Sequence, residues 1–148
     1  MLEVRCMVPE DLERIVEIEA SLFSMPWSKN GFSSTLDSQH MIYLTALWDG
    51  EIAGYCGLLQ SFDEADIVNV AVAKEYQGRG IAFSMLQELM ERGRKKGVAD
   101  FTLEVRVSNA PAIHVYEKLG FVNEGIRKNF YEKPKEDAMI MWKRRKMV

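Results

Sequence analysis

The sequence predicts a mixed α/β protein with one sheet and several helices. Three observations support this prediction. Short apolar segments typical of strands recur along the chain, segments with helical spacing of apolar residues lie between some of them, and glycine or Asp-Gly turns mark the boundaries between strand-like and helix-like segments. The 148 residues suit one domain, and no repeat, linker or low-complexity stretch divides them. We therefore expect a single domain over residues 1–148, with the order β-α-α-β-β-β-α-β-α-β-β.

The first third of the chain predicts a strand followed by two helices. Residues 2–7 have the composition of a strand, and Pro9 is suited to open a helix whose residues 12, 15, 16, 18 and 19 share helical spacing. A break at residues 24–28 follows. Ser28 is a suitable N-cap for a short helix that ends near Ser38.

A hairpin and a third strand are predicted next. Residues 41–48 and 51–60 flank Asp49-Gly50, a dipeptide typical of tight hairpin turns. The third strand ends near Ala73. A helix then follows Gly80 and ends before Gly97, with basic residues in its last turn. Its apolar face comprises Ile81, Ala82, Met85, Leu86, Leu89 and Met90.

The last third of the chain predicts a strand, a helix and two more strands. Residues 101–107 form the strand, and Asn109 caps a helix that Gly120 ends. Two final strands, from residue 121 onward and over residues 138–142, surround a polar loop that contains Tyr131 and Pro134.

Composition is that of an ordinary soluble protein, with 47% hydrophobic and 28% charged residues. A net charge of −3 gives no support for nucleic-acid binding, and no apolar run reaches membrane-spanning length. We expect Cys6 and Cys56 to be buried reduced thiols of a cytoplasmic protein. His40 and His114 lack metal-ligand spacing, so no metal is expected.

The glycines at residues 78 and 80 are the most informative feature. They follow a strand and precede a helix, an arrangement that gathers backbone N–H groups around an anion. A tight turn without a ligand would also use glycine. A P-loop is excluded because Ile81 follows Gly80. A dinucleotide fingerprint ranks low, since Phe83 occupies its third glycine position, although Asp100 lies about 20 residues further on.

The segment Gln-Gly-Arg-Gly-Ile-Ala at residues 77–82 resembles the pyrophosphate loop of the GCN5-related N-acetyltransferase (GNAT) superfamily. Ala82 stands where glycine is commoner. Further segments resemble the branch that acetylates the N-terminal alanine of bacterial small-subunit ribosomal proteins. They are residues 26–28, 103–106 with 108–109, 116–121 and 136–141. The resemblance extends over essentially the whole chain.

This resemblance implies a fold and a donor. The fold would be a twisted, mostly antiparallel sheet flanked by helices, with a cofactor cleft between the fourth and fifth strands. The donor would be acetyl-CoA. The residues implied to bind it are Val70, Ala71, Val72, Gly78, Arg79, Gly80, Ile81, Ala82, Phe83 and Asn109. Asn109 also has the helix-capping role that its position predicts.

Two residues are candidates for the chemistry. Glu104 shares a strand face with Arg106, a pattern most often found on a solvated face with a weak ion pair; we expect Arg106 to oppose any rise in the Glu104 pKa. Tyr116 lies on an apolar helix stripe with Ile113 and Leu119, which is typical of a core aromatic residue. The resemblance implies that Glu104 is the general base and Tyr116 the acid that protonates the departing thiolate.

The acceptor side is expected at two segments, Met25-Pro26-Trp27 and a loop around Phe130-Tyr131, which resemble those that flank the peptide in N-terminal acetyltransferases. Both could equally be hydrophobic surface contacts.

The resemblance implies direct acetyl transfer to a ribosomal protein's N-terminal alanine by a cytoplasmic monomer, without membrane or nucleic-acid requirement. The alternatives are another amine, such as a lysine or polyamine, and a non-catalytic acyl-CoA sensor. The basic residues 143–146 are expected to be a solvated end, with weak RNA attraction conceivable.

Overall fold

The computed structural model describes residues 1–145, which form seven strands and four α-helices. The predicted order of elements is confirmed. The elements are β1 (Leu2–Cys6), α1 (Leu12–Leu22), α2 (Lys29–Leu36), β2 (Met41–Trp48), β3 (Glu51–Ser61), β4 (Glu64–Val72), α3 (Ile81–Lys95), β5 (Asp100–Arg106), α4 (Ala110–Lys118), β6 (Val122–Glu132) and β7 (Lys135–Lys143). Short 3₁₀ turns at Pro9–Asp11 and Lys74–Tyr76 precede α1 and α3.

All seven strands belong to one sheet with the order β1-β2-β3-β4-β5-β7-β6. Each neighbouring pair is antiparallel except β4 and β5, which run parallel. The parallel pairing joins only residues 64–66 to residues 100–102. Beyond this point the two strands diverge, so the mostly antiparallel sheet opens between its fourth and fifth strands, as expected.

A β-bulge in β4 lies where the strands part. Gly57 of β3 pairs with Asn69, but the next residue, Leu58, pairs with Ile67. Val68 is therefore the extra residue on β4, and it is 40% exposed. Because a bulge bends its strand and increases the local twist, it turns the end of β4 away from β5.

Helices cover both faces of the sheet. On β2 and β3 the side chains of Leu44 and Cys56 join one buried cluster, whereas those of the adjacent Tyr43 and Tyr55 join another. Since neighbouring strand residues point to opposite faces, the two clusters lie on opposite sides. The first cluster contains α3 and α4; the second contains α1 and α2.

The predicted helix boundaries have their expected causes. The side chain of Ser28 accepts a hydrogen bond from the backbone N–H of Gly31 at 3.1 Å, and that of Asn109 accepts from Ala112 at 3.3 Å. Gly97 and Gly120 have φ angles of 94° and 97°, a conformation that favours glycine after a helix. Five of the six predicted apolar residues of α3 are buried, and Ala82 is partly exposed.

Three expectations are wrong. Cys6 is exposed, because it ends the edge strand β1 and its Sγ contacts Nη1 of Arg92 at 2.9 Å; only Cys56 is buried. Tyr131 lies in β6 rather than in a loop, since the pairing with β7 continues to Glu132. The basic end is not merely solvated: Arg144 pairs with Glu124 at 2.7 Å, and Arg145 with Asp63 and Asp100. Lys146 lies outside the described residues.

We predict that Gly57→Ala destabilises the protein. A Cβ at Gly57 would overlap the ring of Tyr43, which is buried and has little room to move. Overpacking of this kind costs about 1–3 kcal/mol of unfolding free energy, measurable by thermal or urea unfolding. Gly125→Ala is the matched control, because a Cβ there meets no atom within 4 Å. Equal stability of the two variants would contradict the packing argument.

Candidate active site

A cleft of about 660 Å³ lies where β4 and β5 separate. Its lining comes from the end of α1 and the following segment, β4, β5, α4 with its cap, and the β6–β7 hairpin. The cleft brings together residues that the sequence analysis proposed for different roles. They are Met25, Trp27, Val70, Glu104, Asn109, Tyr116, Phe130 and Tyr131. The predicted cofactor residues 71–72 and 78–83 are not part of this lining.

Glu104 lies near the middle of β5, and its side chain is 30% exposed. Burial raises the pKa of this carboxyl above its ordinary value, and the negative charge of Asp66 adds to the rise. Arg127 opposes it, with Nη1 4.0 Å from Oε1 of Glu104. A carboxylate whose pKa is raised toward neutral pH is better suited to accept a proton.

Arg106 does not have the role expected of it. Its guanidinium donates to the carbonyl oxygens of Pro134 at 2.8 Å and Lys133 at 3.2 Å, and it pairs with Glu136. It also lies over the ring of Tyr131, 4.2 Å from the centroid. Arg106 therefore holds the β6–β7 turn in place, and the cation opposite Glu104 is Arg127.

Tyr116 projects from α4 into the core, where it is 7% exposed and its ring lies 6.1 Å from that of Phe121. Tyr116 is therefore a core aromatic residue that also lines the cleft. Burial raises the pKa of the Tyr116 phenol, with a smaller contribution from Tyr131. The hydroxyl is therefore protonated at neutral pH.

The free edge of β4 is suited to an extended ligand. Val70, Ala71 and Val72 pair with β3, but the described part of β5 pairs only with residues 64–66. The side-chain amide of Gln77 donates to the carbonyl of Val72 at 3.0 Å, and the other backbone groups on the β5 side of residues 70–72 are open to a ligand that adds to the sheet like a strand. Asn109 lines the same cleft while its side chain caps α4.

The glycine loop forms an open cradle at the start of α3. Gly78 and Gly80 have φ angles of 82° and 77°, and a Cβ at either position would meet no atom within 4 Å. The guanidinium of Arg79 lies beside the cradle, over the rings of Trp48 and Tyr76. Unpaired N–H groups of the first helical turn and this nearby positive charge fit a pyrophosphate.

Asp100 is paired with Arg145. Its carboxylate accepts from the backbone N–H of Arg145 at 2.6 Å and from its guanidinium at 2.8 Å, and these bonds lower the Asp100 pKa. It is therefore a structural partner of the chain's end, which removes the residue that kept the dinucleotide hypothesis open. Within residues 1–145, no group of three His, Cys, Asp or Glu side chains is arranged to hold a metal, and no helix is both long and apolar enough to cross a membrane.

Two residues of the cleft carry contacts that the sequence analysis did not assign. Arg106 holds the β6–β7 turn, and its partners lie about 30 residues away in sequence, so no local signal pointed to them. Glu19 is buried and faces the cleft from α1. Its helical spacing with Ile15 and Ile18 was a usable signal, because a carboxylate on an apolar face requires partners.

An open sheet edge beside an N–H cradle is the architecture of a coenzyme A-dependent acyltransferase. A family model described as acetyltransferase (GNAT) matches residues 12–121, and the chain belongs to this family. It is therefore an acetyltransferase, and acetyl-CoA is its acetyl donor.

Curated relatives match nearly the whole chain. A Bacillus subtilis protein is 42% identical over 140 residues, 94% of this chain and 93% of its own length. The ribosomal protein bS18-alanine N-acetyltransferase of Escherichia coli K12 is 37% identical over 133 residues, 88% of this chain and 89% of its own. A crystal structure of the E. coli enzyme gives a TM-score of 0.89 at 34% identity, covering 100% of this chain and 96% of that one.

We predict that two substitutions move the Glu104 pKa in opposite directions. Asp66→Asn removes a negative charge and lowers it, whereas Arg127→Gln removes a positive charge and raises it. Carbon-detected NMR titration of the Glu104 carboxyl measures both shifts. If Glu104 limits catalysis, the acid limb of the pH profile of kcat/KM moves the same way in each variant. Shifts of equal sign would contradict this electrostatic account.

Proposed function

We propose that this chain transfers the acetyl group of acetyl-CoA to the N-terminal alanine of ribosomal protein bS18, and that residues 1–148 form one acetyltransferase domain. The observation that carries the proposal is the cleft at the sheet opening, which both Glu104 and Tyr116 line together with the two expected acceptor segments. The names of the E. coli and Haemophilus influenzae relatives, 37% and 38% identical, support this choice of acceptor.

Acetyl-CoA would lie along the opening between β4 and α4. Its pyrophosphate would accept hydrogen bonds from the backbone N–H groups of residues 78–83, including Ile81, Ala82 and Phe83 at the start of α3. The positive side chain of Lys118 lies at the same end, 5.7 Å from the Phe83 ring centroid. The pantetheine arm would bind the free edge of residues 70–72, and Asn109 would contact the donor from the other side.

The chemistry would be a direct transfer in a ternary complex. Glu104 would take a proton from the acceptor ammonium through a water molecule. The freed amine nitrogen would attack the thioester carbonyl, and backbone N–H groups at the end of β4 would stabilise the oxyanion. As the oxyanion collapses and the C–S bond breaks, Tyr116 would protonate the departing thiolate, and the second proton of the attacking nitrogen would return through water to the Tyr116 phenolate.

The two cysteines support a transfer without a covalent enzyme intermediate. Cys56 is fully buried, and burial raises the pKa of its thiol well above the ordinary value. Cys6 is exposed but does not line the cleft. Neither thiol is therefore suited to take the acetyl group first.

Two segments that line the cleft support a peptide acceptor, because both resemble segments that flank the peptide in N-terminal acetyltransferases. Met25 and Trp27 form one wall, Phe130 and Tyr131 the other, and the hydroxyl of Ser24 donates to the carbonyl of Lys133 between them. Acid–base matching favours an α-amine, because its pKa of about 8 lies closer to that of a carboxylate base than the pKa of about 10.4 of lysine. We also propose that the protein is a monomer and that it acts in the cytoplasm.

The decisive experiment is an acetyl-CoA assay with matched peptides. One peptide begins with alanine and carries no lysine; the other has a blocked N-terminus and one lysine. We expect acetylation of the alanine α-amine, located by mass spectrometry. Acetylation of lysine alone would support the alternative amine, and acetyl-CoA binding without turnover on either peptide would support the sensor hypothesis.

We predict that Tyr116→Phe lowers kcat by about 100-fold, because the acid is lost while the ring still packs against Phe121. The dissociation constant of acetyl-CoA, measured by calorimetry, should change little. Tyr131→Phe is the matched control, since it removes a second hydroxyl from the same cleft. A larger loss of kcat in the control would transfer the acid role to Tyr131.

A further inference from the structure

We propose that Glu19 is a positioning residue for the acceptor: its carboxylate fixes the backbone of residues 23–28, which form one wall of the cleft. The inference rests on the proposed function of this cleft. It assigns a role to a residue that neither accepts a proton from the acceptor nor contacts the donor in the mechanism above.

Glu19 is a buried carboxylate with neutral partners. It is 3% exposed, and its Oε2 accepts a hydrogen bond from the backbone N–H of Trp27 at 3.0 Å. Its Oε1 accepts from the hydroxyl of Tyr55. None of the ion pairs formed among residues 1–145 includes Glu19. A buried charge is tolerated only when donors satisfy it, so both contacts matter.

These two contacts join three parts of the fold. Glu19 belongs to α1, Tyr55 is fully buried in β3, and Trp27 lies in the segment between α1 and α2. Residues 23–28 form neither helix nor strand. The N–H of Trp27 therefore has a side-chain acceptor in place of a backbone ladder, and Glu19 sets where this segment lies.

The segment fixed in this way contacts both the core and the opposite wall. The Trp27 ring packs against Phe32 and Tyr43, with centroids 5.3 and 6.5 Å away. Further back in the segment, Ser24 donates to the carbonyl of Lys133 in the β6–β7 turn. Displacing the Trp27 backbone would move Met25 and Trp27 and change the width of the cleft at this point.

A second explanation makes a different prediction. Glu19 also lines the cleft, so its negative charge could attract the acceptor ammonium directly. Substitutions of Glu19 distinguish these two explanations. A positioning role depends on the length and hydrogen bonds of the side chain, whereas attraction of the acceptor ammonium depends on its charge. Glu19→Gln keeps the length of the side chain: its amide oxygen can accept from the Trp27 N–H, while its NH₂ group can donate to the hydroxyl oxygen of Tyr55. Glu19→Asp keeps the charge but is one methylene too short to bind both.

We predict that Glu19→Asp raises the KM for the acceptor peptide by about 10-fold or more, the effect of losing a hydrogen bond to a charged group. Glu19→Gln should stay within about threefold of wild type, since the amide oxygen still accepts from the Trp27 N–H. The KM for acetyl-CoA should change in neither variant. The reverse order, with Gln impaired and Asp near wild type, would overturn the proposal in favour of electrostatic attraction.

Hydrogen exchange supplies a readout that does not require turnover. Glu19→Asp should speed amide exchange in residues 23–28 while leaving α3 unchanged, and Glu13→Ala, an exposed substitution on the same helix, should alter neither. Unchanged exchange in residues 23–28 would overturn the positioning role. If Glu19→Asp fails to fold, Tyr55→Phe tests the same network by removing one donor, with faster exchange expected in the same segment.

Turnover measurements on the wild-type protein distinguish a failure of this proposal from a failure of the proposed function. If it acetylates lysine or a polyamine but not the alanine peptide, the choice of acceptor is wrong, and the acceptor KM of the variants is measured with that amine. If it turns over no acceptor, the proposed function is wrong. Hydrogen exchange at residues 23–28 then tests Glu19 by itself.

Discussion

The divergence of β4 from β5 is the constraint on which the rest of the molecule depends. Three residues of each strand pair, and the bulge at Val68 then turns β4 away. β3 holds β4 from the other side, since the two strands stay paired from Glu64 to Val72. Backbone groups that a continuous sheet would pair internally are thereby left for a ligand.

Charged side chains around the opening have different roles: some change the proton affinity of Glu104, and others hold nearby backbone segments in place. Glu104 lies between Asp66 and Arg127, whose opposite charges act on its proton affinity in opposite directions. Arg106, on the same strand, holds the β6–β7 turn through its carbonyl oxygens. Glu19 binds the backbone of the opposite wall. Glu104, Arg106 and Glu19 are at least partly buried, so their contacts are less weakened by solvent than those of a surface ion pair, whereas Asp66 and Arg127 are exposed.

The sequence predicted the elements well where the signal was local. The caps at Ser28 and Asn109 and the apolar face of α3 depend on residues only three or four positions apart. Predictions failed where distant partners decide the environment. Arg145 is paired because β7 carries it to Asp100, and Cys6 is exposed because β1 is an edge strand beside Arg92.

The sequence by itself determined the order of elements, the glycine cradle at the start of α3 and, through its resemblance to a family, the residues to examine. Only the tertiary structure decided what surrounds them: that Arg127 rather than Arg106 opposes Glu104, and that Glu19 holds the Trp27 backbone. The physical reason is the separation in sequence between the residues that each interaction joins. Capping and helical periodicity act between neighbours in sequence, whereas burial and charge pairing act between neighbours in space, which the strand order creates.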